Sequence, residues 1–155
     1  MKITPFLWFD KEAEEAAGFY VSVFPNSKVT AVSRYGEAGP GPKGTVMTVA
    51  FELDGKQFTA LNGGPLFKFN ESVSFVVNCK DQAEVDRYWE TLGAGGEYSQ
   101  CGWLKDRYGL SWQIVPDALM RFLGEPDEAK KDRVMKAMLK MRKFDIAALE
   151  AAAKG

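Results

Sequence analysis

The sequence predicts an α+β chain in which one unit, a strand, a helix and further strands, occurs twice in succession and is followed by helices. Three observations carry this. Alternation of period two and period near 3.6 recurs in the same order in both halves. Each half closes on a pair of strands joined by Gly-containing turn residues. The composition, 155 residues with 46% hydrophobic, 13% aromatic and 26% charged, is that of one compact domain over residues 1–155 rather than a disordered chain.

In the first half, Thr4 to Phe9 reads as a strand, and Asp10 is placed to cap a helix on which Ala13, Ala16, Ala17, Tyr20, Val23 and Phe24 recur at helical spacing. Pro25, Asn26 and Ser27 stop it. Lys28 to Tyr35 is β-branched and alternating, and Gly36 to Gly44 is too rich in Gly and Pro to be other than a loop. Val46 to Leu53 and Lys56 to Asn62 flank Asp54-Gly55, the pair favoured where both turn positions need positive φ, which predicts a tight hairpin.

The order restarts after Gly63-Gly64-Pro65. Ser72 to Cys79 reads as a strand, Asp81 with Glu84 as a capping box, and Val85, Tyr88, Trp89 and Leu92 as the apolar face of a helix ended by Gly93 to Gly96. Tyr98 to Lys105 and Leu110 to Val115 form a second hairpin around Asp106 to Gly109, which sets Trp103 opposite Trp112 on the greasy, core side. The modules are thus 3–64 and 70–116. A helical extension occupies 117–155, with a helix start at Pro126-Asp127-Glu128, Met135, Met138 and Met141 as a core or subunit-packing stripe, and a restart at Asp145 running through Ala153.

Composition also sets the chemistry. Lys plus Arg number 20 and Asp plus Glu 21, interspersed, which gives a net charge of −1 and no phosphate-reading face, so nucleic acid is not an expected partner. There are 0 His, which removes the commonest metal ligand and neutral-pH base. Cys79 and Cys101 form no metal pattern, which fits free thiols of a reducing compartment, and no stretch is long and apolar enough for a membrane span; cytoplasmic residence is the expectation.

A two-residue turn at Asp54-Gly55 pairs Phe51 with Phe58 and Val49 with Ala60 on a greasy face. The opposite face carries Thr48, Ala50, Glu52, Gln57, Thr59 and Leu61. In the second half Ser74, Val76, Ser111, Gln113 and Val115 make the corresponding mixed face. Such faces either line a shared, partly polar pocket or meet solvent; their hydroxyls, amides and aliphatics, with Glu52 the one acid, are the composition of a pocket wall.

The runs Thr4-Pro5-Phe6-Leu7-Trp8-Phe9-Asp10, Phe24-Pro25-Asn26-Ser27, Ala60-Leu61-Asn62-Gly63-Gly64-Pro65 and Cys101-Gly102-Trp103-Leu104-Lys105-Asp106 through Gly109-Leu110-Ser111-Trp112-Gln113-Ile114-Val115-Pro116 resemble the vicinal oxygen chelate superfamily of glyoxalases, bleomycin-resistance proteins and dioxygenases. The likeness is to its PhnB-like branch, labelled 3-demethylubiquinone-9 3-methyltransferase. The resemblance implies tandem βαβββ modules whose mixed sheet curves around a cavity, usually completed as a homodimer. Metal-dependent relatives place His, Glu or Gln on the inner strands. The matching regions here hold Ile3, Thr4, Ser72, Ser74 and Thr59 to Asn62, and only Gln113 stands in a slot where relatives carry Glu. One neutral amide does not hold a divalent cation, so no metal and no cofactor is expected. The loop at Gly36 to Gly44 opens no helix, so it is not the donor-binding loop of a methyltransferase either.

Three functions follow as expectations. The first is a metal-free module binding a small, partly aromatic molecule through Phe6, Trp8, Thr59, Leu61, Ser74 and Gln113, with core packing as the other reading of Phe6 and Trp8. The second is a metal-independent transferase or lyase on an aromatic or quinone-like substrate, with Glu52 as general base or else merely an exposed strand-end charge. Cys101 lacks a histidine to activate it and reads as packing. The third is a structural or interaction dimer.

Overall fold

A computed structural model describes residues 2–155 as two compact units, 2–69 and 70–155, each holding one four-stranded mixed sheet. The elements of the first are β1 (Phe6–Phe9), α1 (Ala13–Val23), β2 (Lys28–Arg34), β3 (Val46–Leu53) and β4 (Lys56–Asn62). Those of the second are β5 (Ser74–Cys79), α2 (Gln82–Gly93), β6 (Glu97–Tyr98), β7 (Trp103–Lys105), β8 (Ser111–Pro116), α3 (Asp117–Leu123), α4 (Glu128–Met138) and α5 (Ile146–Lys154). Each unit therefore carries a βαβββ module, and the α+β architecture with its C-terminal helices is the one expected.

The two sheets have the same design. In the first the order is β1-β4-β3-β2, with β1 parallel to β4 and the remaining pairs antiparallel. In the second it is β5-β8-β7-β6, with β5 parallel to β8. A first strand can pair parallel with a later one only across an intervening crossover, and in each module the helix lies within that crossover. One face of each sheet packs on its helix. Leu7, Phe9, Val49, Phe51, Phe58 and Ala60 close against Ala13, Ala16, Ala17, Tyr20 and Val23, and Phe51 stacks between Tyr20 and Phe58 with ring centroids 6.3 and 5.5 Å away. Val77, Leu104, Trp112 and Ile114 are buried in the second unit, as are Val85, Tyr88, Trp89 and Leu92 of α2. Each large side chain so buried contributes roughly 1.5–3 kcal/mol.

The first hairpin has the expected register, Phe51 with Phe58, Val49 with Ala60, Ala50 with Thr59 and Thr48 with Leu61, around a turn with φ of 49° at Asp54 and 77° at Gly55. The second does not. Trp103 pairs with Gln113, and Leu104 with Trp112. Asp106 N–H donates to Leu110 O at 2.9 Å and Gly109 N–H to Asp106 O at 2.9 Å, so the loop is Arg107 to Gly109 with Gly109 left-handed at φ 86°. This is the three-residue hairpin with a glycine bulge, and a shift of one position turns Trp103 to the face opposite Trp112.

Other departures have local causes. Tyr98 to Lys105 is not one strand: Cys101 and Gly102 are left-handed, with φ of 56° and 79°, and split it into β6 and β7. Asp10 does not cap α1. The Ala13 N–H donates instead to Asn62 Oδ1 at 2.8 Å, and Asn62 Nδ2 donates to Val46 O at 3.1 Å. Of the expected Asp81–Glu84 capping box, the Asp81 half forms, its carboxylate accepting Glu84 N–H at 2.9 Å, while the Glu84 carboxylate reaches one residue past the cap to Lys80 N–H. Helix α3 was not expected; Ala118, Leu119 and Phe122 bury it in a cluster with Val134, Phe144, Leu149 and Ala153. Val115 belongs to that cluster too, and so is taken out of the mixed face on which the alternation of β8 placed it. Met138 and Met141 pack against the cluster, while Met135 stays 37% exposed.

Candidate functional site

On the first sheet, the face turned away from α1 collects four of the expected residues. Leu7 and Phe9 take the helix side, so Phe6 and Trp8 lie on the mixed face, in register with Thr59 and Leu61 respectively. Phe6 is 59% exposed, a large value for an aromatic ring on a sheet. Trp8 is held. Its Nε1–H donates to Gly64 O at 2.9 Å, its ring meets the edge of Phe67 at 5.0 Å, and a Cβ on Gly63 would lie 2.4 Å from the indole, so glycine is required there for the ring to lie flat against the backbone. Ser33 and Thr48 share a hydrogen bond of 2.5 Å on the same face. Glu52 is half-buried beside the turn, flanked in register by Lys28 and Gln57.

The glycine-rich loop has a structural occupant. Tyr35 is buried, and Cβ atoms on Gly39 and Gly41 would lie 2.7 and 2.4 Å from its ring, so the two glycines clasp the tyrosine. The Tyr35 hydroxyl donates to Asn62 O. Beside this clasp lies a cleft of about 850 Å³ lined by Asp10, Lys11, Glu14, Arg34 and Asn62 among others.

On the second sheet, Ser74 and Gln113 are joined directly, the Gln113 amide donating to the Ser74 hydroxyl at 2.9 Å. The observed register brings Trp103 and Lys105 onto this mixed face beside Gln113 and Ser111. Trp103 is half-buried beside Gln113, and Lys105 and Ser111 pair in the next row of the same face. Ser111 is fully buried and its hydroxyl has no hydrogen-bond partner among the described residues. Lys105 Nζ meets Glu71 Oε1 at 2.6 Å. That hydrogen bond holds the Glu71 carboxyl below its ordinary range and pushes the Lys105 ammonium above its own, so both are charged near neutrality. Glu71, Tyr98, Cys101, Trp103, Lys105 and Ser111 line a cleft of about 550 Å³. The signal for this arrangement was Gly109, since a glycine in the left-handed position of a three-residue hairpin specifies the register.

Neither thiol is arranged as a nucleophile. Burial pushes the Cys79 thiol up to about 12, with the charges of Glu84 and Asp117 adding to it. Cys101 directs its sulfur at Met138 O, 3.7 Å away, and packs against the C-terminal cluster. Among the described residues no group of three or more His, Cys, Asp or Glu side chains is placed to share a metal ion, and no helix is long and apolar enough to cross a membrane.

The profile of the 3-demethylubiquinone-9 3-methyltransferase family matches residues 1–115. The chain is similar to the PhnB protein of Bacillus cereus, at 37% identity and a TM-score of 0.69 over 75% of this chain and 99% of that one. It shares its fold with protein PA1353 of Pseudomonas aeruginosa (22% identity, TM-score 0.60, 76% of this chain and 99% of that one). It shares it also with the fosfomycin resistance protein FosX of Listeria monocytogenes (16% identity, TM-score 0.60, 81% of this chain and 98% of that one). No curated protein matches it at a significant level. With tandem βαβββ modules and a family match that spans both, the chain belongs to the 3-demethylubiquinone-9 3-methyltransferase family, the PhnB-like branch of the vicinal oxygen chelate superfamily.

Proposed function

We propose that this protein binds a small, partly aromatic organic molecule on the mixed faces of its sheets, as a homodimer and without recruiting a metal ion. The observation that carries the reading is the side of β1 that faces away from α1: Phe6, more than half exposed, stands with Trp8 beside Thr59 and Leu61, an aromatic surface edged by a hydroxyl. On the second sheet, Ser74 and Gln113 form a polar pair of their own, an amide donating to a hydroxyl. The chain has 0 His, and the amide of Gln113, the one residue left in a slot used for metal by relatives, is neutral and donates to Ser74.

The family's name describes methyl transfer, and the residues present do not fit a methyl donor of the dinucleotide-like kind. Gly36 to Gly44 joins two antiparallel strands, β2 and β3, opens no helix, and spends Gly39 and Gly41 on the Tyr35 ring. Glu52, set beside a turn between Lys28 and Gln57, has the surroundings of a strand-end charge, and we assign it no catalytic part.

Native mass spectrometry of the freshly purified full chain, run beside a denatured sample, tests this. A dimer that loses a stoichiometric organic mass on denaturation, with no metal, is the expected result. A stoichiometric divalent metal overturns the metal-free reading, and a dimer with no adduct favours a purely structural role.

A further inference from the structure

The second unit holds a defect that a ligand would repair. Ser111 Oγ is buried with neither donor nor acceptor satisfied among the described residues, a state that costs a buried hydroxyl free energy unless something completes it. It lies on β8, flanked in register by Ser74 of β5 and Lys105 of β7. The ion pair of Lys105 with Glu71, three residues ahead of Ser74, lines the same cleft as Ser111. The bridge is a strap rather than a buried anchor: the Glu71 side chain is 61% exposed and Lys105 36%. An exposed pair of this kind is weak and readily exchanged. The strap also shows what the cleft accepts, since a carboxylate already sits 2.6 Å from the Lys105 ammonium, with the half-buried Trp103 ring on the same face.

We propose that this cleft takes a small aromatic carboxylate, whose acid group replaces that of Glu71 on Lys105 and accepts the Ser111 hydroxyl while its ring lies on Trp103. The inference rests on the binding reading above and narrows it to a ligand class. Lys105 supplies the charge-assisted contact, Ser111 a directional donor, and Trp103 the apolar surface. Glu71 is then an internal competitor that keeps the site closed when empty, and Glu97, which acts on Lys105 at longer range, moderates affinity for anions.

Titration of the ¹⁵N-labelled full chain with benzoate and with benzamide, its neutral counterpart, tests the proposal. Benzoate is expected to shift the Ser111 and Lys105 amides and the Trp103 indole. Glu71→Gln, a change at an exposed side chain, is expected to tighten benzoate about threefold by releasing the competitor. Lys105→Met is expected to weaken benzoate about tenfold and leave benzamide unchanged. If Glu71→Gln binds benzamide as well as benzoate, or if benzoate moves none of the three signals, the proposal falls. An organic adduct in the native spectrum alongside either result leaves the binding reading standing and removes only acid recognition. No adduct and no shift removes both.

Discussion

The two modules share an element order and differ in what holds each element in place. The hairpin between β3 and β4 rests on conformational preference, two residues both at positive φ and one of them glycine, with only exposed bonds at its tip, Asp54 N–H to Ser27 Oγ at 3.1 Å and Gly55 N–H to Asn26 O at 3.2 Å. The hairpin between β7 and β8 is set by a side chain. Asp106, 2% exposed, accepts Tyr108 N–H at 2.8 Å and Leu110 N–H at 3.1 Å on one oxygen, and Trp112 Nε1–H at 2.9 Å on the other. That carboxylate binds the loop to the first core residue beyond it. The difference teaches that a turn can be specified by conformational preference or by a buried polar anchor, and that only the second ties register to the core.

Removing each anchor breaks the comparison most sharply. Asp106→Ala leaves three donors without their acceptor, two of them buried, and is expected to cost roughly 3–5 kcal/mol. Asp54→Ala gives up only a residue tolerant of the left-handed region, at about 1 kcal/mol. Urea denaturation of both variants measures this, and equal losses would refute the distinction. Because Asp106 accepts from the Trp112 indole, Asp106→Ala should also shift tryptophan emission where Asp54→Ala does not.

The same contrast explains what the sequence made legible. Period, turn residues and local capping are near-neighbour properties, so the two modules, the Asp54-Gly55 register, the face shared by Thr59 and Leu61, and the Asp81 cap were all readable. The orientation of β1 was not, because Phe6 to Phe9 is apolar throughout and only α1 decides that Leu7 and Phe9 are the buried pair. The faces of Trp103 and Lys105 are not legible from alternation alone, because Gly109 makes an odd turn and so sets β7 one position away from the register an even turn gives, beside the already expected Ser111 and Gln113. The role of Glu71 was out of reach altogether, since its partner lies on a strand far along the chain.

Helix capping sharpens the comparison at smaller scale. α2 is capped from within its own turn by Asp81, whereas α1 takes its cap from Asn62, 49 residues away on β4. Asn62→Ala removes an acceptor from Ala13 N–H and a donor from Val46 O, and is expected to cost about 2 kcal/mol; Asp81→Ala is expected to cost about 1 kcal/mol. The test that separates them is circular dichroism of peptides covering 10–26 and 80–95. Asp81→Ala should lower helicity in its peptide, while the α1 peptide, which never contained its cap, should begin low.

The smallest expected effects come from one glycine in each helix, and they have opposite signs. A Cβ on Gly18, on the exposed side of α1, meets nothing within 4 Å, so Gly18→Ala should stabilise the chain by about 0.5–1 kcal/mol through the entropy glycine loses on becoming helical. A Cβ on Gly93, the last residue of α2, would lie 2.1 Å from the Tyr98 ring, which stacks on Trp89 with centroids 4.7 Å apart. Gly93→Ala must displace that ring, and with it one wall of the cleft beside Lys105; losing the stack is expected to cost about 1 kcal/mol. Thermal melts of the two variants should therefore move in opposite directions. Two upward shifts would mean that the Tyr98 ring yields without loss, and that the stack on Trp89 does not hold the cleft wall in place.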